Sequence, residues 1–117
     1  MLRESGKLEG RDYNLQGAID VNVDTGLDHG NELVRFAATV VADDEDGLTQ
    51  ARNDLAGAAG SGAVVAAAVT AANFSMLDRI ANAIGIPLDD MILGPSADIR
   101  ASLGINAYPS AANSPIN

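Results

Sequence analysis

Residues 61–87 read SGAVVAAAVTAANFSMLDRIANAIGIP, and this stretch decides the fold class. Alanine, the strongest helix former, fills its first half. Val65, Val69, Ala72, Met76, Ile80 and Ala83 recur at three- and four-residue spacing and make one row. Phe74, Leu77, Ala81 and Ile84 make the adjacent row. Two neighbouring apolar rows predict a helix from Gly62 to Ile84 that is buried on several sides. Ser61 is its predicted cap. Gly85 ends it, and Pro87 prevents continuation. Asn73, Asp78, Arg79 and Asn82 interrupt the apolar pattern. Asp78 and Asn82 are four apart, as are Ser75 and Arg79, so each pair shares a helix face. These polar residues are read as setting packing and register. A buried Asn73 would tie neighbouring backbone. Arg79 would lay its stem along the core and pair with a carboxylate of another helix. The alternative is a polar pocket at a helix or subunit seam.

Two shorter helices are predicted upstream. The first runs from about Gly30 to Ala42, with Asp28 or Asn31 as cap and Glu32 in a first turn where the dipole favours an anion. Leu33, Phe36, Ala37, Val40 and Val41 form its stripe. The acidic run Asp43, Asp44, Glu45 and Asp46 opposes the dipole at a helix C-terminus, so it is read as a loop and the cap of the next helix. It lacks the spaced ligands, central glycine and terminal glutamate of a calcium loop. The second helix runs from about Leu48 to Ala59 on Leu48, Ala51, Leu55 and Ala58 or Ala59, with Gly60 as the positive-φ residue after it. In residues 1–26, Ile19, Val21 and Val23 alternate with polar residues, which fits a short strand or an extended arm. A short helix at Ala97–Leu103, capped by Ser96 and closed by Gly104, precedes a tail read as loop or arm.

Composition narrows function. The chain of 117 residues is sized for one domain, and its sixteen acidic against seven basic residues give a net charge of −9. No Lys/Arg cluster exists to displace counterions, which argues against nucleic acid and anionic membrane surfaces. Cysteine is absent, which removes disulfides, thiolate metal sites and thiol nucleophiles, and fits a reducing, cytoplasmic setting. The opening MLRESGKLEG lacks the apolar region of a secretory signal. The most apolar segment, Ala63–Ala72, is too short by itself to span a bilayer. No glycine-rich strand-to-helix fingerprint points to a nicotinamide, and no cofactor or metal is expected.

The segments GNELVRFAATVVADDED (30–46), LAGAAG (55–60) and VVAAAVTAANFSMLDRIANAIGIPLDD (64–90) together resemble the carboxymuconolactone decarboxylase and alkylhydroperoxidase-like helical superfamily, specifically its C-terminal half. The matching positions are Asn73, Phe74, Arg79, Gly85, Pro87 and Leu88, and the tail DIRASLGINAYPSAAN (98–113) extends the likeness. The resemblance covers about residues 30–113 and implies a helical fold and a homo-oligomeric habit. The family's peroxidase branch uses a Cys-x-x-Cys pair with a glutamate and a histidine. This chain has no cysteine, and nothing before Gly30 matches the family's upstream helices. The resemblance thus implies either a subunit without the thiol peroxidase site or one half of a split protein, its missing half-domain supplied by a second subunit.

His29 is the single histidine, and Asp28, His29 and Glu32 fall within one turn. The favoured reading makes the carboxylates helix-start caps. In the alternative, His29 is a general base supported by Asp28 or Glu32 at a subunit seam, in a decarboxylase- or hydrolase-type enzyme. Two carboxylates and an imidazole also have the chemistry of a metal site, but their spacing matches no known motif. The resulting expectation is an all-α fold of three main helices, with an N-terminal arm (1–26), a helical domain (27–93) and a C-terminal tail (94–117), packed in an oligomer of two subunits or more.

Overall fold

The computed structural model describes residues 2–42 and 44–114. Its architecture is all-α: α1 (Leu2–Glu9), α2 (Gly30–Val41), α3 (Glu45–Ala59), α4 (Ser61–Ile84), α5 (Asp90–Leu93) and α6 (Ala97–Ser102), with 3-10 turns at Leu15–Ala18, Ile105–Ala107 and Pro109–Asn113. Two compact units divide the chain within α4, at Met1–Phe74 and Ser75–Asn117.

In the first unit α2 and α3 pack as a hairpin. Phe36, Ala51 and Leu55 are buried between them, and Leu33, Val40, Leu48, Val64, Ala67 and Ala68 close around this centre. Residues of the predicted stripes thus meet, because three- and four-residue spacing puts them on facing sides. The acidic run behaves as a cap. Asp44 accepts a hydrogen bond from the Gly47 amide (2.9 Å), and Glu45 and Asp46 occupy the first turn of α3. The helix therefore starts three residues before the predicted Leu48. Asp43 lies outside the described residues. Gly60, at φ 87°, serves both as the C-cap of α3 and as the residue before α4, so Ser61 is the first residue of α4 and not its cap. Arg35 and Asp54 approach to 3.8 Å between α2 and α3, an exposed pair worth well under about 1 kcal/mol.

No strand forms at residues 19–23. Asp20 Oδ1 accepts from the Asn22 amide (2.9 Å) and from Asn22 Nδ2 (3.0 Å), and Asp24 Oδ1 accepts from the Gly26 amide (2.9 Å). Aspartates at alternate positions capture local amides and turn the chain where a period of two suggested extension. Residues 2–26 contain α1 and a compact loop instead of an extended arm. Tyr13 and Thr25 are buried, and the Asn14 amide donates to the Thr25 carbonyl at 3.0 Å. Glycines permit this packing. A Cβ on Gly17 would lie 2.6 Å from Thr25 Cγ2 and 2.8 Å from the Val23 carbonyl oxygen, and one on Gly30 would strike Thr25 Oγ1.

The largest departure concerns α4. No residue of α4 is buried within the chain. It touches the first unit's core through Val64, Ala67 and Ala68, not through either predicted row. Val65 and Val69 are each 64% exposed and Phe74 60%. In the second unit Met76, Leu77, Ile80 and Ile84 are exposed as well, and so is Ile92. Asn73 is exposed and has no burial to compensate. Arg79 donates to Ser75 Oγ at 3.4 Å within its own helix, as the four-residue spacing predicts, and not to a carboxylate of another helix. At 24 residues, α4 is long and apolar enough, by length and composition, to cross a membrane. The apolar pattern reaches well past Ala72, which makes the helix longer than its most apolar run.

The second unit carries α5, capped by Asp89 through the Met91 amide (2.8 Å), and α6. Gly104, at φ 66°, follows the predicted short helix. The tail is wound into 3-10 turns as far as Asn113, and its residues 115–117 lie outside the described residues.

Candidate functional site

Asp28, His29 and Glu32 sit at the start of α2. His29 is the N-cap residue in the left-handed region (φ 56°), and its side chain makes no capping hydrogen bond. The predicted cap, Asp28, points elsewhere: its exposed carboxylate lies 4.0 Å from Arg11 Nη1. Arg11 is held above its ordinary pKa chiefly by a hydrogen bond with Tyr13, then by the nearby charges, Asp28 among them. Asn31, the other predicted cap, follows the N-cap position. Glu32 stands in the first turn as expected. The sequence neighbours thus share a turn without forming a hydrogen-bonded constellation, and no group of three or more His, Cys, Asp or Glu among the described residues is placed to hold a metal ion. His29 and its two carboxylate neighbours line neither of the two cavities described next.

In the first unit an open cavity of about 430 Å³ lies between α2 and α4. Leu33 and Ala37 form one wall, and Ala63, Ala66, Ala67 and Ala71 form the other, with Phe74 at its end. The alanines make it a groove, because each places only a methyl group where a longer side chain would fill the space. Beside it, Val65 and Val69 stand out as a ridge on the same helix.

The second unit holds a different kind of cavity, of about 330 Å³. Leu88, Ile92, Ile99, Ile105 and Ala111 give it apolar walls. Tyr108, Ser110 and Ser114 are polar members of its lining, and Arg100 lies on its boundary. Arg100 is 8% exposed, and every partner it has is neutral. Nε donates to Asn106 Oδ1 at 3.3 Å, and Nη1 donates to the Leu93 carbonyl at 2.8 Å and to Ser96 Oγ. Ser96, the predicted cap of α6, makes no capping bond, because its hydroxyl donates back to the Ile92 carbonyl at 2.6 Å and accepts from Arg100. Among the described residues no carboxylate lies within 4.0 Å of Arg100. Sequence reasoning passed over this residue, since an arginine on a short helix reads as a surface charge. The available signal was a lone cation set among Ile92, Ile99, Leu103 and Ile105.

Comparison with known protein families, curated proteins and solved structures returns no match.

Proposed function

We propose that the chain is a self-associating helical subunit, built like the C-terminal half of the carboxymuconolactone decarboxylase-like class and acting without a thiol peroxidase site. The observation that carries this reading is the exposure of α4, where Val65, Val69 and Phe74 stand free beside an alanine-lined groove. The ridge lies on α4, which also forms one wall of the groove. A second copy related by a two-fold axis therefore meets groove with ridge twice, the self-complementarity an isologous dimer needs. At a rise of 1.5 Å per residue, residues 61–74 of α4, which belong to the first unit, are about 21 Å long, enough for a seam of nearly four turns. Soluble monomers rarely leave an apolar patch of this extent uncovered. Lipid is the weaker occupant. Every 18-residue window within α4 includes Asp78, and a carboxylate within a spanning helix is unfavourable, by up to roughly 3 kcal/mol at the centre and less toward the end where Asp78 lies. A cytoplasmic homo-oligomer without nucleic-acid partners fits the net charge of −9. A second chain that supplies the missing half-domain is the heteromeric form of the same proposal.

Light scattering at micromolar concentration tests the reading. The wild type is expected to run as a dimer or larger, and Val69→Glu as a folded monomer. Val69 is exposed in the single chain, so the substitution alters monomer stability by less than about 0.5 kcal/mol. A folded wild-type monomer, or α4 inserting into uncharged lipid vesicles, would overturn it.

One observation favours a second reading, catalysis by His29 with Asp28 or Glu32 at the seam. His29 is the one non-glycine residue with positive φ among those described, and strained backbone gathers at functional sites. His29→Gly separates the two. If the imidazole has no chemical role, the glycine variant is expected to gain about 1 kcal/mol of stability in a denaturant titration, with any hydrolytic or decarboxylating turnover unchanged. Loss of turnover by the stabilised variant would establish the catalytic reading.

A further inference from the structure

We propose that the cavity beside Arg100 binds a small monocarboxylate with an apolar tail. A guanidinium has five N–H donors. Three of those in Arg100 reach Asn106, Leu93 and Ser96, all neutral acceptors. The two donors on Nη2 have no acceptor among the described residues, and the atom is not closed off from solvent. Placing a cation in a buried position without a counter-charge is costly. This chain does so despite holding sixteen acidic residues. The cavity next to that cation supplies the room for a counter-charge brought by a ligand.

The chemistry of the walls selects the ligand. A carboxylate carries a single negative charge and matches the planar guanidinium fork. A phosphate has more oxygens and more charge than one arginine and a few hydroxyls can satisfy. Leu88, Ile92, Ile99 and Ile105 offer nothing to a polar tail and favour a hydrocarbon one. A volume of about 330 Å³ has room for about ten water-sized groups. Octanoate, with a carboxylate and a seven-carbon tail, is a suitable probe. The negatively charged protein repels anions at long range, so capture depends on the local contact with Arg100.

Calorimetric titration of the full chain with octanoate, octan-1-ol and octylamine tests the proposal. Octanoate is expected to bind saturably at one site per chain. The alcohol, which shares the tail, should bind at least about tenfold more weakly, and the amine not measurably. Arg100→Met should weaken octanoate binding about 10- to 100-fold, the range for hydrogen bonds to a charged group, while leaving the weak binding of octan-1-ol in place. Ala111→Phe, which keeps Arg100 and fills the cavity, should block both. This second variant keeps the test decisive if Arg100→Met fails to fold. Equal binding of acid and alcohol, octanoate binding untouched by Ala111→Phe, or no octanoate binding at millimolar concentration by the folded wild type would each overturn the proposal.

Discussion

The two compact units bury opposite kinds of side chain. In the first, Phe36, Ala51 and Leu55 form an apolar centre fed by three helices, and Leu55 has no exposed surface at all. In the second, the single buried side chain among the described residues is a cation, Arg100. Apolar burial is non-directional and scales with area, so the first unit resists disturbance in proportion to the surface its helices cover. A buried guanidinium contributes through direction instead. Three of its N–H groups draw the Leu93 carbonyl, Ser96 and Asn106 toward one centre. The difference teaches that a helical chain can organise a small region around one hydrogen-bonded charge, and that such a region has polar capacity left over for a ligand.

The contrast is open to attack at its strongest point first. Leu55→Ala removes the best-buried side chain and is expected to cost about 3 kcal/mol, from lost transfer energy and the cavity left behind. Denaturant unfolding followed by circular dichroism measures it. A loss below about 1 kcal/mol would mean that the hairpin core contributes little, and the contrast would fail. Gly17→Ala probes the packed loop that precedes α2. Its new methyl group would meet Thr25 and the Val23 carbonyl at distances no real contact adopts, so about 2 kcal/mol of destabilisation is expected from overpacking. An unchanged midpoint would show that the loop is soft and yields without cost. The smallest effect belongs to Arg100→Met. The substitution removes an unpaired charge, which is favourable, but leaves Asn106, the Leu93 carbonyl and Ser96 without their donor, so a net loss of only about 1 kcal/mol is expected. A loss as large as that of Leu55→Ala would show that these directional bonds stabilise their unit as much as apolar burial stabilises the other, and would erase the difference.

Much of the helical framework was legible because its signals are local. The ends of α2, the cap formed by Asp44, the positive φ of Gly60, and Gly85 with Pro87 after α4 all depend on residues within about one turn of each other. Local signals misled where two competed. The alternation of Ile19, Val21 and Val23 pointed to a strand, but Asp20 and Asp24 hold the backbone in turns through their own carboxylates. The predicted capping role of Asp28 failed because His29, in the left-handed region, holds the N-cap position. Of the candidate site, the neighbourhood of Asp28, His29 and Glu32 could be read along the chain, but whether those groups meet could not.

The sequence by itself determined that this is an all-α chain, where α2, α3, α4 and α6 lie, and that thiol chemistry is absent, because periodicity, caps and composition are properties of neighbouring residues or of simple counts. Only the tertiary structure decided which apolar faces find cover. The rows along α4 are equally apolar in sequence, yet the core takes Val64, Ala67 and Ala68 and leaves Val65 and Val69 in solvent. Only the tertiary structure, too, decided that Arg100 is buried at a cavity and that Thr25 rests against Gly17 and Gly30. The physical reason is common to all three. Burial and close approach depend on where segments distant along the chain come to rest, and periodicity says which face is apolar without saying what will lie against it.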